Sequence, residues 1–242
     1  MVAPLRRYFP FMLLLLGACP VLAQKAENGQ AKKAGGRLAW IVSVAIPDEI
    51  DNPAKFMAGK DIAEVMLSKR SVGVPVKIPK DGLIRMVRMI PDPQDPTKQT
   101  YESLAEARIP ESVNKALVIL VPTKKKAGSS LLFATKVQDL AAFRGGDTLY
   151  LNLSPMSIMV QLGEEKIPLR KGETRITKAP TSAKAVNKAV SYSFFDPAKD
   201  KWKLLGASTV VVRPTRREIC IFSWDSRYDR LDYHGITFPV TK

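Results

Sequence analysis

Two clusters of basic side chains are the residues of this chain best suited to bind a ligand. Their members are Arg213, Arg216 and Arg217, between two apolar runs, and Lys124, Lys125 and Lys126, which follow another. Guanidinium groups bind phosphate, sulfate and carboxylate through paired hydrogen bonds, and ammonium groups attract the same anions as point charges. We predict these six as ligand-binding residues for an anion. The alternative is that both clusters are solvated turns that protect sheet edges.

The sequence offers little from which a catalytic centre could be built. His234 is the only histidine, so a Ser-His-Asp or Cys-His arrangement would have to use it. Glu164 and Glu165 are adjacent, so on a strand they would point to opposite faces and could not act as an acid–base pair. We predict a non-enzymatic protein with no catalytic residue and no cofactor. A hydrolase that uses carboxylates is the remaining enzymatic alternative.

Metal binding is equally poorly supported by the composition. A zinc site needs at least three ligands from histidine, cysteine or carboxylates, and the chain has one histidine and two cysteines. Asp196 and Asp200 flank a predicted hairpin tip, but the lysines beside them oppose calcium binding. Cys220 lies in an apolar run and is expected to be a buried structural thiol. We therefore predict no metal site.

The N-terminus has the three parts of a signal peptide. Arg6 and Arg7 precede an apolar run over 9–16, and the sequence Val-Leu-Ala ending at Ala23 fits the small-x-small rule for cleavage. The apolar run is shorter than the roughly 20 residues that span a bilayer, so no transmembrane segment is expected after processing. In the alternative processing, Cys19 in Leu-Gly-Ala-Cys is lipidated. We predict an exported periplasmic or extracellular protein, with a lipid-anchored envelope protein as the alternative.

Net charge indicates the kind of partner. The chain has 38 Lys and Arg against 23 Asp and Glu, and residues 1–23 hold two of the basic residues and none of the acidic ones. The remainder therefore carries 36 against 23, or +13, which attracts anionic polymers and lipid headgroups. Nucleic acid is not an expected partner, because the sequence has no RNP, KH or zinc-finger signature and the protein is expected to be exported.

Apolar residues alternate with polar ones through most of the chain after residue 70. The clearest examples lie at 72–78, 149–153 and 158–162, and clusters of Pro, Gly, Asp and Lys separate such runs. Residues 24–37 hold no large apolar side chain and are predicted to be a flexible linker. The pattern predicts an all-β protein made of antiparallel β-sandwich units of immunoglobulin-like size.

Short words recur along the chain in the same order. Lys-Ile-Pro at 77–79 recurs at 166–168, and Val-Asn-Lys-Ala-Leu at 113–117 recurs as Val-Asn-Lys-Ala-Val at 186–190. Ordered self-similarity of this kind indicates an internal repeat. We predict two related units in tandem.

The predicted units span 38–152 and 153–242. The first contains a polar insertion at 91–112, in which the sequence Ser-Leu-Ala-Glu at 103–106 fits a helix capping box and predicts at most a short helical turn. Polar connections longer than a turn requires often carry function.

Three segments carry a resemblance to a known family. They are KALVILVPT, DTLYLNLSPMSIMVQLGEEKIPLRKGE and KWKLLGASTVVVRPTRREICIF, which together span roughly 110–240. Their order resembles that of uncharacterised exported β-rich proteins of the Verrucomicrobia type. The resemblance implies a β-rich fold, and it implies no activity and no site residue.

These observations lead to a function of binding rather than catalysis. We predict a binding or scaffolding module at the cell envelope that contacts anionic polymer or lipid headgroups. The alternative is a structural role with a protein partner in a surface assembly, through sheet edges or the 91–112 loop.

Overall fold

Short β-strands separated by turns make up the described part of the chain. The computed structural model describes residues 36–124, 127–179, 184–225 and 228–240. For Pro239 it describes the backbone only. β-branched, aliphatic and aromatic residues dominate the strands, while Gly, Pro and Asp recur in the turns. The strands are β1 (Leu38–Ser43), β2 (Ala54–Ala58), β3 (Asp61–Val65), β4 (Val76–Lys77), β5 (Leu83–Pro91), β6 (Gln99–Arg108), β7 (Lys115–Pro122), β8 (Phe133–Asp139), β9 (Thr148–Asn152), β10 (Ile158–Leu162), β11 (Glu165–Leu169), β12 (Thr174–Thr177), β13 (Val186–Asp196), β14 (Lys201–Val212), β15 (Arg216–Asp225) and β16 (Arg230–Pro239), with a 3₁₀ turn at Leu140–Ala142.

These strands form four sheets of four strands each. We name them sheet I (β3-β2-β5-β6), sheet II (β4-β1-β7-β8), sheet III (β12-β9-β15-β16) and sheet IV (β11-β10-β13-β14). Neighbouring strands are antiparallel except β1 with β7 and β9 with β15, which are parallel. The predicted all-β class with two sandwich units is confirmed.

Three apolar cores lie between successive sheets. The first contains residues of sheets I and II, the second residues of sheets II and III, and the third residues of sheets III and IV. Representative buried side chains are Phe56 and Ile41 for the first core, Val42 and Leu149 for the second, and Val160 and Phe222 for the third. Sheets II and III are therefore apolar on both faces, which explains the unbroken apolar runs of β7 and β15.

The two sets of eight strands share one topology. Adding eight to each strand number converts sheet II into sheet III and sheet I into sheet IV. Equivalent hydrogen bonds fix the register between the sets. The Val44 N–H donates to the Leu120 carbonyl at 2.9 Å, and the Leu153 N–H donates to the Phe222 carbonyl at 2.8 Å. The predicted tandem arrangement is confirmed.

The recurring words, however, predicted the wrong correspondence between the units. Residues 113–117 enter β7, whereas 186–190 begin β13, whose counterpart is β5. Residues 77–79 begin at the last residue of β4, whereas 166–168 lie in β11, whose counterpart is β3. Similar words arise in non-equivalent strands because the same few residue types suit any half-buried strand. In the observed pairing β9, placed by the sequence at the end of the first unit, is the first strand of the second set.

The predicted insertion at 91–112 is largely a strand. Residues Gln99–Arg108 form β6, which pairs with β5, so the expected helical turn at 103–106 is wrong. Cross-strand ion pairs favour the hairpin, with Arg85 Nε 3.0 Å from Glu106 Oε1 and Arg88 Nη2 2.6 Å from Glu102 Oε2. Burial of Ala105 and Ala107 against the first core adds to this preference, which local capping signals cannot outweigh.

Part of the predicted N-terminal organisation lies outside the described residues. This applies to the signal peptide at 1–23, to Cys19 and to linker residues 24–35. Arg37, at the end of the predicted linker, is held by a hydrogen bond from its Nε to the Val113 carbonyl at 3.0 Å. In the described ranges, no helix has both the length and the apolar character needed to cross a membrane.

Candidate functional site

The basic segment 213–217 forms a tight turn from β14 into β15. The Arg216 N–H donates to the Arg213 carbonyl at 3.1 Å, which closes the turn. The turn lies directly on the glycine pair at 145–146, and the Gly146 N–H donates to the Arg216 carbonyl. A Cβ atom at Gly145 would stand 1.8 Å from the Pro214 carbonyl oxygen, so only glycine permits this approach. The backbone of the arginine turn is therefore held in one position.

The three predicted arginines do not converge on one point. Arg213 and Arg216 are exposed and line a cleft between sheets III and IV. Arg217 follows Arg216 on a strand and so faces the other side of sheet III, where its guanidinium lies 5.8 Å from the Phe143 ring centroid and 5.5 Å from that of Phe238. Burial lowers the pKa of Arg217, and its Nε is buried without a hydrogen-bond partner in the described structure. Arg217 thus packs as an interlayer cation, while Arg213 and Arg216 remain available to a ligand.

The cleft beside these two arginines has a volume of about 280 Å³. Its walls come from the end of β14 and from β9, β13, β15 and β16. The lining residues that matter here are Tyr150, Tyr192, Val210, Cys220, Tyr233 and Gly235. This volume falls just under the range of about 300–1,000 Å³ for small-molecule pockets. The cleft therefore suits a small group or one part of a larger ligand.

Buried hydroxyl and thiol groups form the floor of the cleft, and they are neutral. Burial raises the pKa of Cys220 to about 12, and it raises the pKa of Tyr150 and Tyr192 above the ordinary tyrosine range. The nearby Tyr192 hydroxyl partly opposes the rise in the pKa of Cys220. The expected burial of Cys220 is confirmed. With no charge on its floor, the cleft has its formal charges at the rim.

Glu218 supplies the one carboxylate among the residues that line this cleft. It accepts hydrogen bonds from Thr237 Oγ1, at 3.2 Å to Oε1 and 3.0 Å to Oε2. Burial raises the pKa of Glu218 above its usual 4.5, while the Thr237 hydrogen bond and the nearby Arg216 oppose that change. The rim therefore combines two guanidinium groups with a carboxylate that takes up a proton more readily than an exposed one.

The predicted lysine cluster lies elsewhere in the fold. Lys124 is exposed on the connection from β7 to β8 in the first unit, whereas the arginine turn joins β14 to β15 in the second. Lys125 and Lys126 lie outside the described residues. The ligand-binding prediction for these lysines stays a prediction.

His234 faces the second core from β16. Burial lowers its pKa, Lys69 and Arg70 lower it further, and Asp232 opposes them. Its Nε2 is buried with no hydrogen-bond partner in the described structure. Within the same ranges no group of three or more His, Cys, Asp or Glu side chains could hold a metal ion.

The cleft itself was not visible in the sequence. The arginines could be recognised from their type, but the tyrosines resembled ordinary core residues of alternating strands. Gly235 was the one available signal, because a glycine inside a strand marks a missing side chain or a close approach.

Comparison of the sequence with known proteins identified no relative. No protein-family model matches the sequence, and no curated protein matches it.

Proposed function

We propose that this chain is a non-enzymatic binding module of the cell envelope, exported by the signal peptide at 1–23. In this proposal Arg213 and Arg216 contact the anionic groups of an envelope polymer or of lipid headgroups. The observation that carries the proposal is the arginine turn, held by the glycine pair beneath it, at the rim of a cleft whose floor is uncharged. Guanidinium groups on a fixed backbone lose little conformational freedom when they bind an anion, which favours a dedicated contact over a solvated turn.

Charge over the whole chain supports the same partner. Without residues 1–23 the chain has 36 basic and 23 acidic side chains, a formal charge of +13, so the field around the protein attracts anions before contact is made. The arginine turn then supplies two donors that form paired hydrogen bonds with phosphate, sulfate or carboxylate. Neighbouring neutral hydroxyls of the cleft do not repel the anion.

Co-sedimentation tests this proposal. We expect the purified protein to sediment with envelope fragments and with anionic phosphatidylglycerol vesicles, but not with neutral phosphatidylcholine vesicles, and to be released as salt rises. The double variant Arg213→Gln, Arg216→Gln should bind about tenfold more weakly, because two exposed charged contacts together contribute about 1.4 kcal/mol. Polymer and lipid are distinguished by comparing isolated envelope polysaccharide with the vesicles.

A matched control separates this site from general attraction. The double variant Lys80→Gln, Arg108→Gln removes the same charge from exposed positions of the first unit. It should retain most of the wild-type binding. Equal losses in the two double variants would show non-specific attraction and would overturn the assignment of the site.

A second candidate function is assembly through the edge of sheet IV. In the first unit the corresponding edge strand, β6, is covered by a strap at 130–135. The strap bonds are Ser130 Oγ to the Ser103 carbonyl at 2.7 Å, the Leu132 N–H to the Leu104 carbonyl at 2.8 Å, and Thr135 Oγ1 to the Glu106 carbonyl at 2.6 Å. The predicted assembly surface at 91–112 is thus already occupied along that edge.

The edge strand of sheet IV is more open. In the described residues β14 pairs with β13 alone, and its Trp202 and Leu204 side chains are 47% and 67% exposed. From Leu204 to Val212 this strand has no charged side chain, and uncharged exposed edges pair readily with other strands. Light scattering of the wild type should then show a dimer or larger assembly that Ala207→Lys reduces to monomer. A wild-type monomer at every concentration would exclude self-assembly through this edge.

A further inference from the structure

The two units differ in side chains at equivalent positions, and the cleft lies where they differ. Two residues before the matched Leu120 and Phe222, the first unit has Val118 and the second has Cys220. Val118 pairs with Val137 across the strands, and Cys220 pairs with Gly235. Val137 and Gly235 are therefore equivalent. Where the first unit has a valine packed against its core, the second has no side chain.

The position of Gly235 has room for a side chain. A Cβ atom built on Gly235 meets no atom within 4 Å, other than those of its immediate chain neighbours. The backbone at this glycine does not adopt a positive φ, so the position accepts other residues without strain. The opening is thus a consequence of the missing side chain and not of backbone geometry that only glycine allows.

The residues around that space also change character between the units. Three residues before the matched Val44 and Leu153, the first unit has Ile41 and the second has Tyr150. Met86 and Tyr192 both stand immediately before the β-bulge of their strands. At these positions the first unit has the aliphatic side chains Ile41, Met86 and Val118, and the second has Tyr150, Tyr192 and Cys220.

The aromatic rings of the cleft offer both an apolar surface and polar edges. The Tyr192 and Tyr233 ring centroids lie 4.6 Å apart. The fully buried Phe222 ring, which does not line the cleft, packs 5.3 Å from that of Tyr192. Apolar groups of a ligand gain from contact with such rings, while tyrosine hydroxyls supply hydrogen bonds. Arg213 and Arg216 line the same cleft and place positive charge at its rim.

We propose that this cleft binds a small amphiphilic anion, with its apolar body against Tyr192, Tyr233 and Val210 and its acidic head between Arg213 and Arg216. Only the contacts at the two arginines rest on the proposed function. The remainder rests on the space at Gly235. The ligand is small, because the cavity of about 280 Å³ cannot enclose a large body.

Competitive displacement of a fluorescent probe tests the proposal on the full chain. We expect 8-anilinonaphthalene-1-sulfonate to bind with enhanced fluorescence and decanoate to displace it at a concentration about tenfold lower than decanol, which lacks the anionic head. Comparing decanoate with 2-naphthoate shows whether the preferred body is aliphatic or aromatic. Equal displacement by decanoate and decanol, or no probe binding, would overturn the proposal.

Gly235→Val fills the cleft with the side chain that the first unit carries at this position. It should weaken decanoate binding at least tenfold, while Gly36→Val, at another position without a positive φ, should leave it unchanged. Urea unfolding confirms that each variant folds, and Gly235→Ala replaces Gly235→Val if the latter does not. Unchanged decanoate binding in a folded Gly235 variant would refute the site.

Vesicle binding separates this inference from the proposed function. Gly235→Val keeps both rim arginines, so it should still sediment with anionic vesicles. If the wild type does not bind vesicles but its decanoate binding depends on Gly235, the proposed function is wrong and the cleft is still supported as a ligand-binding site. If vesicle binding depends on Arg213 and Arg216 but decanoate does not bind, the cleft proposal fails alone.

Discussion

At the scale of single residues, we expect Glu218 to make the proposed anion binding depend on pH. Its carboxylate lies on the cleft rim near Arg216, and burial raises its pKa above 4.5. When ionised, it competes with a ligand for the guanidinium group. When protonated, it leaves the arginine free. We therefore expect the proposed anion binding to strengthen as the pH is lowered toward the raised pKa of Glu218.

We predict that anionic vesicle binding of the wild type increases as pH falls from 7 to about 5. Glu218→Gln should bind more tightly than the wild type at pH 7 and show a flatter pH profile, because its side chain carries no charge. Glu111→Gln, an exposed acid of the first unit, is the matched control and should keep the wild-type profile. A Glu218→Gln profile as steep as that of the wild type would contradict this role.

The same pKa has a consequence for stability. Because folding raises the pKa of Glu218, its contribution to the free energy of unfolding is greatest below pH 4.5 and is lost as pH rises through the folded value. Glu218→Gln should therefore gain stability relative to the wild type at pH 7 more than at pH 4. Urea unfolding at the two pH values measures this difference.

At the scale of elements, the arginine turn depends on the glycine pair beneath it. Gly145→Ala would place a methyl group 1.8 Å from the Pro214 carbonyl oxygen, so the turn must move. We expect a loss of about 2 kcal/mol in unfolding free energy and weaker vesicle binding in the protein that remains folded. Gly36→Ala, whose Cβ would meet only the end of the Lys77 side chain at 4.0 Å, is the control. Unchanged vesicle binding in Gly145→Ala would show that turn position does not matter.

The presence of strands was predictable from the alternation of apolar and polar residues. The alternating runs at 149–153 and 158–162 correspond to β9 and β10. The nature of 91–112 was not predictable, because β6 is fixed by ion pairs to β5 and by the strap at 130–135. These contacts join residues far apart in sequence, and they outweigh the local capping pattern. The arginines of the site were recognisable by type, but the separation of Arg216 and Arg217 onto two faces of β15 depends on strand position.

At the scale of the molecule, one topology is used twice with different side chains. The first unit closes its core with Val137 and the strap over β6, while the second leaves Gly235 and the edge of β14 uncovered in the described residues. The recurring words suggested a repeat, but they lie in non-equivalent strands, and equivalent positions such as Ile41 and Tyr150 share burial and not identity. The first unit thus acts as an internal reference for the second.

Hydrogen–deuterium exchange of the full chain, with and without anionic phosphatidylglycerol vesicles, tests the central claim most directly. Binding at the cleft predicts slower amide exchange over 210–220 and 233–236, and no change over 108–118, the corresponding part of the first unit. Protection confined to the first unit, or equal protection of both segments, would contradict a binding site in the second unit.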